Sequence, residues 1–345
     1  MSSPTSAEQW LSFHIFYHTG DRDRLLIHCV LPTVAELLRE EWIESFFFVR
    51  YLLGGPHVRL RLRSRLGRED ALREAVERQV SHFLRCYPSP APLASEAIHD
   101  MNRSLLHQDH NEQEDVIYPD NSFQEHPFLP ETDRYGGPSL LAHSLDFFAL
   151  SSAKALRLLA ERGDSSAGRW LTTALRLLAS HVLGFARDPE DLKRLSDYSA
   201  RFWEAGAPPI QEVADRVFTQ RRNSFLALVS EEIGKLSLDL PSLADVAMAH
   251  ALDQELLSAE AATRWRILSS QLHMTANRLG LRNADEIYLA RMLFRSLDEI
   301  EPSSPQLWAR LTGLLAERAA SHGVREPRLR GLLRPAFAEI LPRTA

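Results

Sequence analysis

The chain has 345 residues, 44% of them hydrophobic and 25% charged, with a formal net charge of −6. That length accommodates one large domain or two modest ones, and the acidic balance excludes the basic body of a general nucleic-acid binder. Two isolated cysteines, Cys29 and Cys86, exclude a disulfide scaffold and a Cys-based zinc site.

The first residues, MSSPTSAEQW, contain no basic region followed by an apolar run, and no later stretch approaches ~18 consecutive apolar residues. The expectation is a cytoplasmic protein without signal peptide or membrane span. WLSFHIFYH (10–18) is aromatic and β-branched, with Phe13, Ile15 and Tyr17 on one face, and reads as a strand. DRDRLLIHCVLPTVAELLRE has helical spacing that Pro32 should kink or split. SFFFVRYLL (45–53) is a second strand, apolar enough to be central, and Gly54, Gly55 and Pro56 form a turn into the third, HVRLRLRSR. The next helix stacks Leu72, Val76, Val80 and Phe83 on one stripe and ends at PSPAP (88–92). Residues 99–130 read as polar and irregular, and helical patterns dominate from Gly137 onward.

The expected class is therefore α+β: an N-terminal mixed β-sheet with a large, mainly helical remainder. The expected organisation is a single domain over 1–345, its core about 10–300, with 301–345 a C-terminal helical extension beyond EPSSP.

Four stretches carry candidate chemistry. In GGPHVRLRLRSR, alternation puts His57, Arg59, Arg61, Arg63 and Arg65 on one side of a strand. An edge strand could carry these as solvated gatekeepers. The apolar preceding strand and tight turn instead place this one inside a sheet, where Arg59 and Arg61 suit planar recognition of carboxylate or phosphate. Arg63 and Arg65, nearer the strand end, are expected to be solvated. In PETDRYGGP, Glu131 and Arg134 form a loop salt bridge or converge on one ligand. In SSQLHMTANRLG, His273 is either a core histidine or an acid/base group, with Asn277 at i+4 placed to orient its ring. HQDHNEQED (107–115) reads as a polar loop, without the paired spacing of a metal site. No G-x-G-x-x-G, P-loop, H-E-x-x-H or G-x-S-x-G is present, so redox cofactors and NTP hydrolysis are unsupported.

Taken in order, the aromatic first strand, FFVRY…GGPHVRLRLR, ETDRYGG and LHMTANRLG resemble the glutamate-elimination domain at the C-terminus of lanthipeptide dehydratases and its free-standing relatives in thiopeptide biosynthesis. The resemblance spans roughly residues 10 to 300; the large N-terminal glutamylation domain of a full dehydratase has no counterpart here. It implies that Arg59, Arg61, Glu131, Arg134 and His273 are the elimination residues. It also implies neither metal nor redox cofactor. Two positions depart from the pattern: Pro130 before the glutamate, and Ser151 where relatives often carry Asp.

The implied activity is that of a lyase. Another, tRNA-dependent protein glutamylates a Ser or Thr of a ribosomal precursor peptide (leader plus core), and this chain expels the glutamate to leave dehydroalanine or dehydrobutyrine. The same resemblance admits a pyridine synthase, joining two dehydroalanines in a formal [4+2] aza-cycloaddition with macrocyclisation and loss of the leader. A different class of reading is a non-catalytic module that binds the precursor or scaffolds the partner. Direct binding of nucleic acid or of a membrane is not expected.

Overall fold

The computed structural model describes residues 10–19, 22–90, 92–109, 116–163, 166–201, 210–236, 245–320 and 329–341, and among residues 104–109 and 198–201 their backbone alone. The chain divides into two compact units. The first comprises Met1–Pro130, Ser151–Glu161 and Phe337–Ala345; the second comprises Glu131–Leu150 and Arg162–Ala336.

The first unit is built on a four-stranded sheet of order β2-β3-β1-β4, with β1 Trp10–Phe16, β2 Ile43–Tyr51, β3 His57–Ser64 and β4 Ser122–Glu125. Although a mixed sheet was expected, all three pairings are antiparallel. The reason is topological. β1 and β2 run parallel, joined by a helical crossover, but the tight hairpin inserts β3 between them, giving a split βαβ arrangement. Gly54 and Gly55 make that hairpin possible at φ +84° and +105°, in the left-handed region.

Alternation assigns the faces. Leu11, Phe13, Ile15, Phe46, Phe48, Val58, Leu60 and Leu62 share one face and are almost wholly buried. The crossover comprises α1 Asp23–Leu25, a π-helical turn Leu26–Val30 and α2 Leu31–Arg39. Pro32, lacking an N–H to offer the preceding turn, sits where the ladder changes pitch, and Thr33 Oγ1 donates to the Cys29 carbonyl at 2.7 Å. α3 Glu69–Cys86 buries the expected stripe of Leu72, Val76, Val80 and Phe83.

The segment read as irregular contains a helix, α4 Ser95–Asp109, and the edge strand β4. The sequence of β4, SFQE, has no apolar alternation; its pairing with β1 defines it. α5 Pro138–Arg162 supplies Ser151–Glu161 to this unit, where Ser152 Oγ accepts the Phe48 N–H at 3.2 Å.

The second unit is helical among its described residues. Its main elements are α6 Ala167–Phe185, α7 Pro189–Arg201, α8 Ile210–Gly234, α9 Asp245–Glu255, α10 Ala261–Arg278, α11 Asn283–Ser303, α12 Pro305–Ala320 and α13 Leu333–Ala338, whose final residues pass to the first unit. α6 packs on α9, and α11 packs on α7 and α8. A buried charge network ties the helix ends together: Arg264 donates to Asp253 at 2.7 Å, to Asp191 at 3.2 Å and to the Phe185 carbonyl at 2.6 Å. Paired in this way through Nε and Nη2, the guanidinium recovers much of its desolvation cost. α12 packs on α7, α8 and α11. Among the described residues no helix is long and apolar enough to cross a membrane.

Candidate active site

In the first unit, register fixes the polar face of the sheet. Directly across from β3, Ser12 faces Arg61, His14 faces Arg59 and Phe16 faces His57 on β1, while Phe47 faces Arg61 and Tyr51 faces His57 on β2. Arg59 and Arg61 are thus neighbours two residues apart on one face, as alternation anticipated.

Arg59 is held from two sides. Its guanidinium carbon lies 3.3 Å from the centre of the Tyr51 ring, and its Nε donates to His57 Nε2 at 3.1 Å. His57 can accept there because its Nδ1 lies 2.8 Å from the Gly55 carbonyl, which places the ring proton on Nδ1. Burial pushes His57 down to about 3, and the nearby guanidiniums add to the effect, so the ring is a neutral acceptor. His57 therefore positions Arg59.

Arg61 is more deeply buried, at 7% exposure. Its Nη1 has no hydrogen-bond partner among the described residues. Burial first, and Arg59 second, push this guanidinium down to about 9. Phe128 lies 5.5 Å from it, and Trp10, Phe47 and Phe128 pack edge-on or tilted on one another. Arg63, expected to be solvated, is instead 14% exposed and paired with Glu44 at 3.2 Å, while Arg65, half exposed, pairs with Glu41 at 3.8 Å. The β2 hairpin partner supplies Glu44, and the β2 approach supplies Glu41; neither pairing could be read from the arginine strand alone.

In the second unit, the turn Glu131–Gly137 lies against α10. Arg134 Nη1 donates to Glu131 Oε2 at 3.0 Å and its Nε to Ser270 Oγ at 3.2 Å. Arg266 clamps the same turn, donating to the carbonyls of Arg134 at 2.9 Å and Asp133 at 3.2 Å. Gly136 has φ +76°, and a Cβ there would come within 2.7 Å of Thr263 Cγ2 and 2.8 Å of Leu140 Cδ1. Gly136 is thus a packing requirement as well as part of the turn. Tyr135 is buried beneath, its phenol pushed up to about 12 by that burial, and its ring meets Phe148 edge-on at 5.4 Å. Arg278, fully buried, lies over the same Phe148 at 4.7 Å, and burial pushes it down to about 9.

His273 stands one helical turn beyond Ser270. Its Nδ1 lies 2.8 Å from Oε2 of Glu286, in the first turns of α11. Glu286 is buried at 6% exposure. The carboxylate fixes the proton on Nδ1 and leaves the lone pair on Nε2, the arrangement of a general base. Glu286, from the next helix, thus holds the His273 ring at Nδ1. The sequence carries only a faint signal of this, an acidic residue shortly beyond the Gly280 helix end.

The structure therefore brings Arg59 and Arg61 together in the first unit, and Glu131, Arg134 and His273 together in the second. The candidates in HQDHNEQED that fall at 110–115 lie outside the described residues. Among the described residues no group of three or more His, Cys, Asp or Glu side chains could hold a metal ion.

Comparisons with known proteins agree with this architecture. A family model described as "Lantibiotic biosynthesis dehydratase C-term" matches residues 10–297. A search of curated proteins finds no match. Among solved structures, the pyridine synthase TbtD from thiomuracin biosynthesis is similar with a TM-score of 0.72 at 19% identity, over 86% of this chain and 100% of that one. The tRNA-dependent lantibiotic dehydratase MibB from Microbispora sp. 107891 gives 0.56 at 18% identity, over 88% of this chain and 29% of its own. TsrL gives 0.57 at 15% identity, over 90% and 98%.

Proposed function

The chain belongs to the lantibiotic biosynthesis dehydratase C-terminal family, and from that premise we propose that it eliminates glutamate from glutamylated Ser or Thr of a ribosomal precursor peptide. The observation that carries this reading is Arg61: a buried guanidinium beside a second one, with Nη1 unpartnered. Such a pair is built to receive an anion.

The chemistry asks for that. A base removes the α-proton, the Cα–H electrons form the Cα=Cβ bond, and the Cβ–O bond breaks to release glutamate. The glutamyl ester keeps one free carboxylate throughout and gains a second as the Cβ–O bond breaks. Arg59 and Arg61 hold that anionic group. Arg134, oriented by Glu131, offers a further cation for charge developing on the peptide carbonyl as the α-proton leaves. His273 transfers the proton, its ring held through Nδ1 by Glu286. The partners in this reading are the precursor peptide and a separate tRNA-dependent glutamylation protein, and neither metal nor redox cofactor takes part.

A second reading, pyridine synthesis by [4+2] aza-cycloaddition, has the similarity in fold to TbtD behind it. Two dehydroalanines present no anionic leaving group, so that reaction gives the arginine pair no glutamyl anion to hold. The test is to offer the purified chain a glutamylated precursor and, separately, a dehydrated azole-bearing peptide. Mass spectrometry should show the first converted to dehydro residues. Cyclisation of the second, with the first untouched, would establish the pyridine synthase instead.

A further inference from the structure

The arginine pair is not alone on its sheet face. Ser12 and His14 lie directly opposite Arg61 and Arg59, and His126 continues the β4 edge, its N–H donating to the Ser12 carbonyl at 2.9 Å. The His126 ring stacks on His14 at 4.2 Å between centroids. Ser12 is 1% exposed and His14 9%. Four buried polar atoms in this cluster have no hydrogen-bond partner among the described residues: Ser12 Oγ, His14 Nε2, His126 Nε2 and Arg61 Nη1. Buried polar groups are almost always satisfied, and four together on one face mark a place made for a ligand with several acceptor atoms.

The chemical class follows from the donors. Two guanidiniums repel a metal cation, so the imidazoles are not its ligands. Burial, with the neighbouring guanidiniums, holds His14 and His126 below the ordinary histidine range. As neutral rings they donate through Nε2–H, beside one hydroxyl and one cation. Phe128 lies against Arg61, and Trp10, Phe47 and Phe128 pack edge-on or tilted on one another, an apolar wall to one side of the cluster. A planar, singly charged carboxylate matches this set. A phosphate dianion calls for more positive charge: of the four partnerless atoms only Arg61 Nη1 is cationic, and Arg59 is engaged with Tyr51 and His57. Arg59, His126, Tyr51 and Tyr118 are half-buried and form the open side.

We propose that Ser12, His14 and His126, acting with Arg61 Nη1, bind the free carboxylate of the glutamyl group and so make the chain selective for glutamylated substrate. The inference rests on the elimination reading for its substrate, while the carboxylate site itself can be tested without it. The full chain is titrated with L-glutamate, glutarate, L-glutamine and inorganic phosphate by calorimetry, with histidine ring resonances followed by NMR. Glutamate and glutarate should bind at least tenfold more tightly than glutamine and shift the His14 and His126 signals. His14→Phe and His126→Phe should each abolish that preference; Ser12→Ala, which removes one hydroxyl, should reduce it and serves if a histidine variant fails to fold.

In turnover, the same variants should raise KM for glutamylated peptide at least tenfold more than they lower kcat. Unchanged discrimination in folded variants that still release glutamate would overturn this inference and leave elimination standing. Selective glutamate binding by a wild-type chain that leaves glutamylated peptide intact would do the reverse. Phosphate binding more tightly than glutarate would overturn the carboxylate assignment.

Discussion

Nδ1 of His273 lies 2.8 Å from Oε2 of Glu286, a contact between the end of one helix and the start of the next. Glu286→Gln replaces an acceptor with an amide that can donate to Nδ1, shifting the ring proton to Nε2, where the base needs its lone pair. The expected result is a fall in kcat of roughly 10²–10³-fold, with little change in peptide KM or in thermal stability. His273→Gln should lose as much. Steady-state rates with circular dichroism as the folding control check this, and wild-type turnover in Glu286→Gln would remove the pair from the mechanism.

Arg61 should show a trade of stability for function. Its guanidinium is buried and incompletely bonded, so Arg61→Met removes a desolvation cost while keeping most of the volume. Urea denaturation should show stability unchanged or raised by about 1–3 kcal/mol. Glutamate release should fall by at least ~100-fold, corresponding to about 2.7 kcal/mol of lost transition-state stabilisation. A variant destabilised by several kcal/mol would mean that the arginine serves the fold.

Acid should destabilise the first unit. His57 is pushed down to about 3 from its usual 6.5, and His14 lies lower still, both chiefly through burial. Between those values the unfolded chain holds protons that the folded chain does not. Stability is therefore fully present above about pH 6.5 and falls as pH drops toward 3, by up to ~1.4 kcal/mol per pH unit for each such histidine. Urea midpoints measured at about pH 7.5, 6.5 and 5.5 should fall progressively, and His14→Phe should flatten the slope. A flat profile in the wild type would show that these rings are not held neutral.

Gly136→Ala tests whether the Glu131–Arg134 turn must lie against α10. The new Cβ meets Thr263 Cγ2 and Leu140 Cδ1 at under 3 Å, on a backbone at φ +76°. A loss of about 1–3 kcal/mol in stability is expected, with a disproportionate loss of turnover as Arg134 leaves Ser270. Native activity in this variant would show that the turn's placement is irrelevant.

Local chemistry made much of the molecule legible in advance. The period-two pattern of β3, the Gly54–Gly55 turn and the stripe on α3 are written in adjacent residues, and the structure follows them. β4 was invisible because four polar residues become a strand only through β1. The arginine face could be read from alternation, but its companions could not. Ser12 and His14 join it through cross-strand register, and His126 through a backbone bond to Ser12. Glu286 likewise reaches His273 only because the chain turns at Gly280 and returns alongside. Tertiary pairings of this kind leave little trace in any single stretch of sequence.

The most direct measurement of the central claim is glutamate release from a synthetic precursor bearing one glutamyl-serine ester, deuterated at the serine α-carbon. Elimination predicts one glutamate released per dehydroalanine formed, with the deuterated peptide slowed relative to the protiated one wherever proton removal limits the rate, and release suppressed in Arg61→Met and Glu286→Gln. Intact ester after prolonged incubation with folded wild-type chain, or glutamate set free with serine regenerated, would contradict it.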